Sequence, residues 1–288
     1  MATLKDIKLR MVSIENTQQI TKAMKMVAAS KMRKAEENAS QSRPYAEKLK
    51  SIVSNLSNGL DQSAHPLFTQ REGGKAVVLL ITTDRGLCGG LNVNLCKQLH
   101  KLVPDESNNF DLVEIVAFGK KGNEFFSHRG GNIAESYRDM KEAQYAEVLG
   151  KTVQELIKKY MKGEFNHLFI AYNQFKNVVT QIPTIQQVLP IEPPDDEDAA
   201  AGEQTEFIFE PSGAGILNAI LPQYVENLTF TALLNNIASE HAARMTAMDA
   251  ATNNAGDMLS ALQIQYNRAR QAAITSELIE IISGAEAI

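Results

Sequence analysis

The sequence has little of several features that define common protein classes. It contains no tryptophan and two cysteines among 288 residues, and no run of about 18 apolar residues occurs. Cys88 and Cys96 lie eight residues apart, which fits neither a zinc knuckle nor a secreted disulfide framework, so we expect two reduced thiols. Residues 1–6 lack the apolar core of a signal peptide. These absences argue against a secreted or membrane-inserted protein and favour the cytosol.

Patterns typical of catalysis or metal binding are also missing. The glycine loop from Asp84 to Asn92 follows a predicted strand and opens a helix, where α/β folds often hold a phosphate. It lacks the Gly-Lys-Ser/Thr of a P-loop and the spacing Gly-x-Gly-x-x-Gly, so a tight turn is the simpler interpretation. No histidine is placed by sequence to activate Cys88. The acidic run around Asp195 does not match a calcium loop. We therefore expect no catalytic residue, no cofactor and no metal.

What is present is a long helical pattern in the last third of the chain. Small and apolar residues recur there at alternating steps of four and three, without a proline, which predicts a coiled-coil seam. Including its flanks, the pattern runs from about residue 215 to 283, with Pro222 predicted to kink the helix or mark its start. The seam residues are Leu234, Ala238, His241, Met245, Met248, Thr252, Ala255, Leu259, Leu262, Tyr266, Ala269 and Ala273.

The N-terminus offers this helix a partner. Thr3 and Asp6 form the pattern of a capping box, and a period of about 3.5 residues follows. We expect one helix over the first 55 or so residues, pairing with the longer C-terminal helix and leaving its C-terminal end unpaired and apolar. The predicted inward positions are Leu4, Ile7, Met11, Ile14, Thr17, Thr21, Met24, Ala28, Met32, Ala35 and Ala39.

Charge is unevenly placed along the chain. Residues 1–50 hold eleven Lys and Arg against five Asp and Glu, a balance of +6, whereas the whole chain has a net charge of −5. A nucleic-acid arm and a solvated helix face are alternatives, but interleaved aromatic residues are lacking. We favour an acidic protein surface as the partner of this helix.

The middle of the chain alternates strands and helices. Strands are predicted at residues 75–83, 113–118, 133–137, 166–173, 178–189 and 207–210, with the fifth at an edge because it contains Pro183. Helices are predicted up to about residue 101, at 123–128 and at 145–161. This order predicts a mainly parallel α/β domain. We expect residues 1–60 and 211–288 to form the helical parts and residues 70–210 the globular domain.

Four motifs resemble one protein family. They are residues 22–33 (KAMKMVAASKMR), 83–92 (TDRGLCGGLN), 239–252 (SEHAARMTAMDAAT) and 274–285 (ITSELIEIISGA). Together they closely resemble the γ subunit of bacterial F-type ATP synthases, over essentially the whole chain. A nucleotide-binding enzyme and a coiled-coil tether for nucleic acid or the cytoskeleton are the other classes that the residues leave open.

The resemblance implies an antiparallel coiled coil of the long N- and C-terminal helices with an inserted Rossmann-like α/β domain. It implies a non-catalytic central-stalk rotor that couples proton flow to ATP synthesis at the catalytic β subunits by rotation. The implied partners are the α and β subunits, the ε subunit and the membrane c-ring, with no nucleic acid and no direct insertion into the membrane. The implied location is peripheral, on the cytoplasmic face of the bacterial inner membrane.

The resemblance also implies roles for individual residues. Met24 and Cys88 are expected near an acidic lever loop of a β subunit. The remaining expected interface residues, which meet the catalytic ring or brace the two helices, are Arg244, Arg270, Gln271, Thr275 and Glu277.

Overall fold

The computed structural model describes residues 3–59, 65–71, 73–102, 110, 112–192 and 213–286. The predicted strand at 207–210 and the acidic run around Asp195 lie outside these residues. The elements are α1 (Leu4–Gly59), β1 (Lys75–Ile81), α2 (Leu91–Leu102), β2 (Leu112–Phe118), α3 (Lys120–Ser127), β3 (Ile133–Tyr137), α4 (Glu142–Met161), β4 (His167–Phe175), β5 (Gln181–Leu189) and α5 (Gly213–Glu286).

The two terminal helices are long, as the sequence predicts. The capping box of α1 is confirmed, because the Thr3 N–H donates to Asp6 Oδ2 at 3.0 Å and the Asp6 N–H donates to Thr3 Oγ1 at 3.3 Å. Helix α5 has 74 residues. It continues through Pro222, so the alternative that the helix starts at this proline is wrong.

The chain forms two compact units, and each long helix contributes to both. The first unit comprises Met1–Ser30 and Arg244–Ile288, and the second comprises Lys31–Ala243. The first unit is thus built from the outer segments of α1 and α5. The second unit contains the sheet, helices α2 to α4, and the remaining segments of α1 and α5.

The second unit is organised around a five-stranded sheet with the order β3-β2-β1-β4-β5. Strands β1 to β4 are parallel, and β5 pairs with β4 in the antiparallel direction at one edge. The mainly parallel sheet and the edge position of β5 are therefore confirmed. Strands β2 and β3 lie on one side of β1, and β4 lies on the other side. The strand order therefore reverses between β1 and β4.

The sheet is buried on both faces, which explains the near-continuous apolar sequence of β1. On one face Val77, Leu79 and Ile81 pack with residues of α4 and of the first turns of α5. On the other face Val78 and Leu80 pack with residues of α2 and α3.

Helix α3 begins at Lys120, three residues before the predicted start. Asp84, from the loop after β1, accepts a hydrogen bond from the Lys120 N–H through Oδ1 at 2.8 Å. A carboxylate at a helix N-terminus stabilises the first turn. Gly119 immediately precedes it with a φ of 96°, where an added Cβ would lie 2.3 Å from the Thr82 carbonyl oxygen. The cap comes from a distant segment, so local sequence could not reveal it.

Candidate interface surfaces

The outer segments of α1 and α5 pair through small and polar side chains. Thr21 and Thr252 face each other with their hydroxyl oxygens 2.8 Å apart, and Lys25 Nζ lies 2.6 Å from Asp249 Oδ1. From the first pair to the second, the residue number rises along α1 and falls along α5, so the two helices are antiparallel. The Lys25–Asp249 pair is nearly half exposed and contributes little to stability, but it helps to define the register.

One predicted inward position of α1 is wrong. Thr17 is exposed, and the neighbouring Gln18 turns inward instead. Gln18 Nε2 donates to the Thr252 carbonyl oxygen at 3.4 Å. The helix advances by about 100° per residue, so a step of four from Ile14 and a step of three to Thr21 place Gln18 on the same stripe as both.

The predicted seam of α5 faces inward and then ends. Met248, Ala255 and Leu262 are buried. Continued antiparallel pairing places Leu4, where α1 begins, near Ala269 of α5, so the last turns of α5 have no α1 residues opposite them. The apolar side chains exposed there are Ile274, Leu278, Ile279, Ile281 and Ile282. This confirms the prediction that the C-terminal end of α5 is unpaired and apolar.

Helix α1 carries a second apolar stripe, which the seam analysis missed. Its side chains are exposed although they are large and apolar, and they lie on the face away from α5. They are Leu9, Val12, Ile20, Met26 and Val27. Several large apolar side chains exposed on one face of a helix are typical of a surface that another protein covers. Their signal in the sequence is the recurrence of apolar residues between the seam positions.

The glycine loop after β1 is held by one buried asparagine. Asn92 Oδ1 accepts from the Thr83 N–H at 3.1 Å, and its Nδ2 donates to Thr83 Oγ1 at 2.8 Å and to Cys88 Sγ at 3.4 Å. Cys88 packs with Leu91 and with Ala243 of α5. The loop is therefore a rigid, internally bonded turn.

Both cysteines are buried and form no disulfide, which confirms the prediction of two thiols. Burial raises the pKa of Cys96 to about 12, against a smaller opposing effect of Arg129. A thiol with this pKa is protonated at neutral pH and is a poor nucleophile.

Asp84 joins the glycine loop to two helices. Besides capping α3, it accepts a hydrogen bond from the Tyr145 hydroxyl of α4. Burial, followed by the hydrogen bond to Asp84, raises the pKa of Tyr145, so the phenol stays protonated and remains a donor. This network fixes one end of the loop against the helices beside it.

The reversal of strand order lies beside the carboxyl end of β4, where open α/β sheets commonly bind a ligand. Side chains of α5 occupy this position. Asn236 Oδ1 accepts from the N–H of Asn173 at 3.2 Å and from its Nδ2 at 3.0 Å, and the Ser239 hydroxyl donates to the Asn173 carbonyl oxygen at 3.0 Å. Asn235 Oδ1 accepts from the Phe175 N–H at 3.3 Å. The usual ligand crevice therefore holds the chain's own helix.

His65 ties the start of α5 to the connection between α1 and β1. Its Nδ1 accepts from the Leu67 N–H at 3.2 Å, and its Nε2 lies 3.0 Å from Asn218 Oδ1. Because Nδ1 is an acceptor, Nε2 carries the proton and the ring is neutral. Lys158 and Glu226 share with His65 the lining of an open cleft of about 390 Å³.

Stability of the second unit should fall at mildly acidic pH. Burial lowers the pKa of His65 below 6.5, against a smaller opposing effect of Asn218, and burial likewise lowers the pKa of His167. As pH falls, these histidines bind protons in the unfolded chain at a higher pH than in the folded chain. The stability that the neutral histidines contribute is therefore complete above about pH 6.5, and it is lost as pH falls through their pKa values in the folded chain. Urea unfolding between pH 5 and 8 should show the loss.

His65→Gln should make that pH dependence shallower, because the variant has lost one of the two histidines whose pKa burial lowers. His128→Gln is the control, since His128 is exposed. An unchanged pH slope in His65→Gln would show that this histidine does not carry the effect.

The structure places the expected interface residues in different surroundings. Met24 is partly buried beside the seam, and Arg244 is 9% exposed. Cys88 lies in the second unit, buried under its loop. Near the end of α5 the Thr275 hydroxyl donates to the Gln271 carbonyl oxygen at 2.9 Å, one turn back along the helix. Arg270, Gln271, Thr275 and Glu277 are all exposed.

The residues that the structure describes contain no group of three or more His, Cys, Asp or Glu side chains placed to hold a metal ion. Within the same residues, every helix is too short or too polar to cross a membrane.

Comparison with known proteins gives a consistent result. The sequence profile of a family described as ATP synthase matches residues 3–288. The chain is 47% identical to the ATP synthase gamma chain of Geotalea daltonii, over all of this chain and 99% of that one. It is 43% identical to the ATP synthase gamma chain of Pelotomaculum thermopropionicum, over the whole of both chains.

Solved structures show the same fold. A chain of the Tetrahymena thermophila mitochondrial ATP synthase central stalk and c-ring matches with a TM-score of 0.62 and 25% identity, covering 81% of this chain and 99% of that one. A chain of the Euglena gracilis mitochondrial ATP synthase rotor matches with a TM-score of 0.65 and 19% identity, covering 94% and 98%. With paired terminal helices, an inserted α/β sheet and full-length similarity to these relatives, the chain belongs to the ATP synthase gamma chain family.

Proposed function

We propose that this chain is the central-stalk rotor subunit of an F-type ATP synthase. It couples proton flow through the membrane sector to ATP synthesis, or to hydrolysis in reverse, and it holds no catalytic residue itself. The α and β subunits surround its helices, and the ε subunit and the c-ring bind its globular domain. The complex holds it peripherally at the cytoplasmic face of the inner membrane. Residues 1–60 and 211–288 form the shaft, and residues 70–210 form the domain.

One observation supports this proposal most directly. The first unit exposes apolar side chains on both helices, at the second stripe of α1 and along the last turns of α5. A two-helix structure in water would carry polar residues there. A close-fitting protein sleeve accounts for both stripes.

Charge supports the same partner. Between Leu4 and Lys34, α1 carries seven exposed cations: Lys5, Lys8, Arg10, Lys22, Lys31, Arg33 and Lys34. Such a helix attracts an acidic protein surface. Met24 and Arg244, as well as the exposed residues Arg270, Gln271, Thr275 and Glu277, are proposed contacts or braces within this sleeve, and Cys88 is a proposed contact of the domain.

The test is the composition of the complex that contains this chain. An affinity tag on the chain, followed by purification from membranes and native mass spectrometry, should give a complex in which the α and β subunits outnumber it. Recovery of the chain as a free protein or with a single unrelated partner would reject the rotor function.

A further inference from the structure

Strand β4 extends beyond its neighbour β1 at the carboxyl end of the sheet. The last pair in the register of the two strands is Leu80 with Ala171, and β1 ends one residue later at Ile81. Strand β4 continues to Phe175 and is paired there with β5 along its other side. Backbone groups that point toward β1 in this extension therefore need partners from another part of the chain.

Three polar side chains of α5 supply those partners. Asn236 Oδ1 accepts from the Asn173 N–H at 3.2 Å, and the Ser239 hydroxyl donates to the Asn173 carbonyl oxygen at 3.0 Å. Asn235 Oδ1 accepts from the Phe175 N–H at 3.3 Å. These side chains bind the backbone of β4 as a further strand would. We call this set of contacts the polar joint.

The hydrogen bonds of the polar joint oppose rotation of α5 about its own axis. Side-chain atoms lie about 5–6 Å from the axis of a helix, and a hydrogen bond stretched by about 0.5 Å is largely lost. The bonds therefore break after a rotation of only about 5°. Asn235 is itself held in place, because its Nδ2 donates to the Thr231 carbonyl oxygen at 2.9 Å.

The apolar contacts of the same segment hold the helix less specifically. From Asn236 to Ala243, the buried apolar side chains of α5 are all alanines, at positions 238, 242 and 243. Each alanine presents a single methyl group, and apolar burial has no preferred direction. Buried polar contacts, in contrast, can fix the register of a helix against its neighbours. The polar joint therefore sets the angle of α5 on the sheet.

We propose that Asn235, Asn236 and Ser239 are positioning residues that lock α5 to the sheet against torque. In the proposed function the c-ring turns the globular domain, and α5 passes the rotation on to the catalytic subunits. The inference rests on that function, because torque arises only in the assembled complex. When the polar joint is removed, the helix slips on the sheet under load, and proton movement is partly uncoupled from ATP turnover.

Asn236→Ala/Ser239→Ala in the complete complex tests the proposal. Leu221→Ala is the control, because Leu221 is fully buried on the same helix and packs in the apolar core. Both variants lower the stability of the second unit, one through lost hydrogen bonds and the other through a cavity. In membrane vesicles, the ratio of ATP-driven proton pumping to ATP hydrolysis should fall several-fold in the double variant and stay near the parent value in Leu221→Ala.

Single-molecule measurement of the stalled complex gives a second readout. The catalytic subunits are fixed to a surface, and a bead is attached at Leu112→Cys, an exposed position of the second unit. The angular fluctuations of the bead should widen several-fold in the double variant. Asn235→Ala removes only the bond to Phe175, so it should widen them less, and it replaces the double variant if that one does not assemble.

Each outcome decides the proposal. An assembled double variant with the coupling and the fluctuations of the parent would overturn it, and so would an equal loss of coupling in Leu221→Ala. If only Asn235→Ala assembles, unchanged fluctuations in that variant have the same meaning. A parent chain that purifies without α and β subunits would instead reject the rotor function, so the two failures are distinguishable.

Discussion

Replacing Asn236 with alanine is expected to destabilise the second unit by about 2–5 kcal/mol. Asn236 and Asn173 are 2% and 1% exposed, and the lost Oδ1 accepts from both the backbone N–H and Nδ2 of Asn173. Each buried donor left without a partner costs about 1–3 kcal/mol. Urea unfolding of the chain, followed by circular dichroism, measures the loss.

Asn254→Ala is the matched control, since Asn254 is exposed on the same helix and its loss should change stability by about 0.5 kcal/mol or less. In a double-mutant cycle, Asn173→Ala should cost much less in the Asn236→Ala background than in the parent. Additive effects of the two substitutions would show that these amides do not act as a pair.

The second large effect is expected for Ala255→Leu in the first unit. Ala255 is 6% exposed in the pairing seam, and a Cβ on the adjacent Gly256 would lie 3.1 Å from Gln18 Nε2. The helices therefore approach closely, and added bulk typically costs about 1–3 kcal/mol or displaces the backbone. Faster hydrogen exchange of amides 10–30 should report the loosened pairing.

The same substitution should affect coupling more than it affects the sheet. If a close-fitting ring encloses these helices as proposed, a thicker or bent shaft should reduce ATP-driven proton pumping in membrane vesicles relative to ATP hydrolysis. Ala261→Leu adds the same volume at an exposed position of α5 and should leave helix pairing unchanged. If Ala255→Leu assembles and pumps like the parent chain, this seam does not set a tight clearance.

The sequence predicted the elements that depend on local pattern. The continuous apolar sequence of β1, the period of α5 and the cap at Thr3 each arise from nearby residues, and all three are confirmed. The resemblance, carried by four motifs, predicted the family, and full-length relatives confirm it. The roles of the individual interface residues stay predictions.

Features that depend on distant residues could not be predicted. The N-terminus of α3 is capped by Asp84, 36 positions earlier, and Asn173 meets Asn236, 63 positions later. The pattern of small and apolar positions includes Thr17, yet the larger Gln18 is the residue that reaches a carbonyl of α5. An asparagine or glutamine side chain is buried where the tertiary structure supplies acceptors for its hydrogen bonds. The periodicity of the sequence does not show where those acceptors lie.

The order in which the first unit's two segments are synthesised has a consequence for biogenesis. The segment that ends at Ser30 leaves the ribosome more than 200 residues before the segment that starts at Arg244. At about 5–20 residues per second, the seam of α1 waits roughly 10–40 s for its partner. During this time Ile7, Ala28 and the second apolar stripe of α1 are all available to other nascent chains or to chaperones. The seam of α1 therefore lacks its α5 partner throughout the synthesis of the second unit.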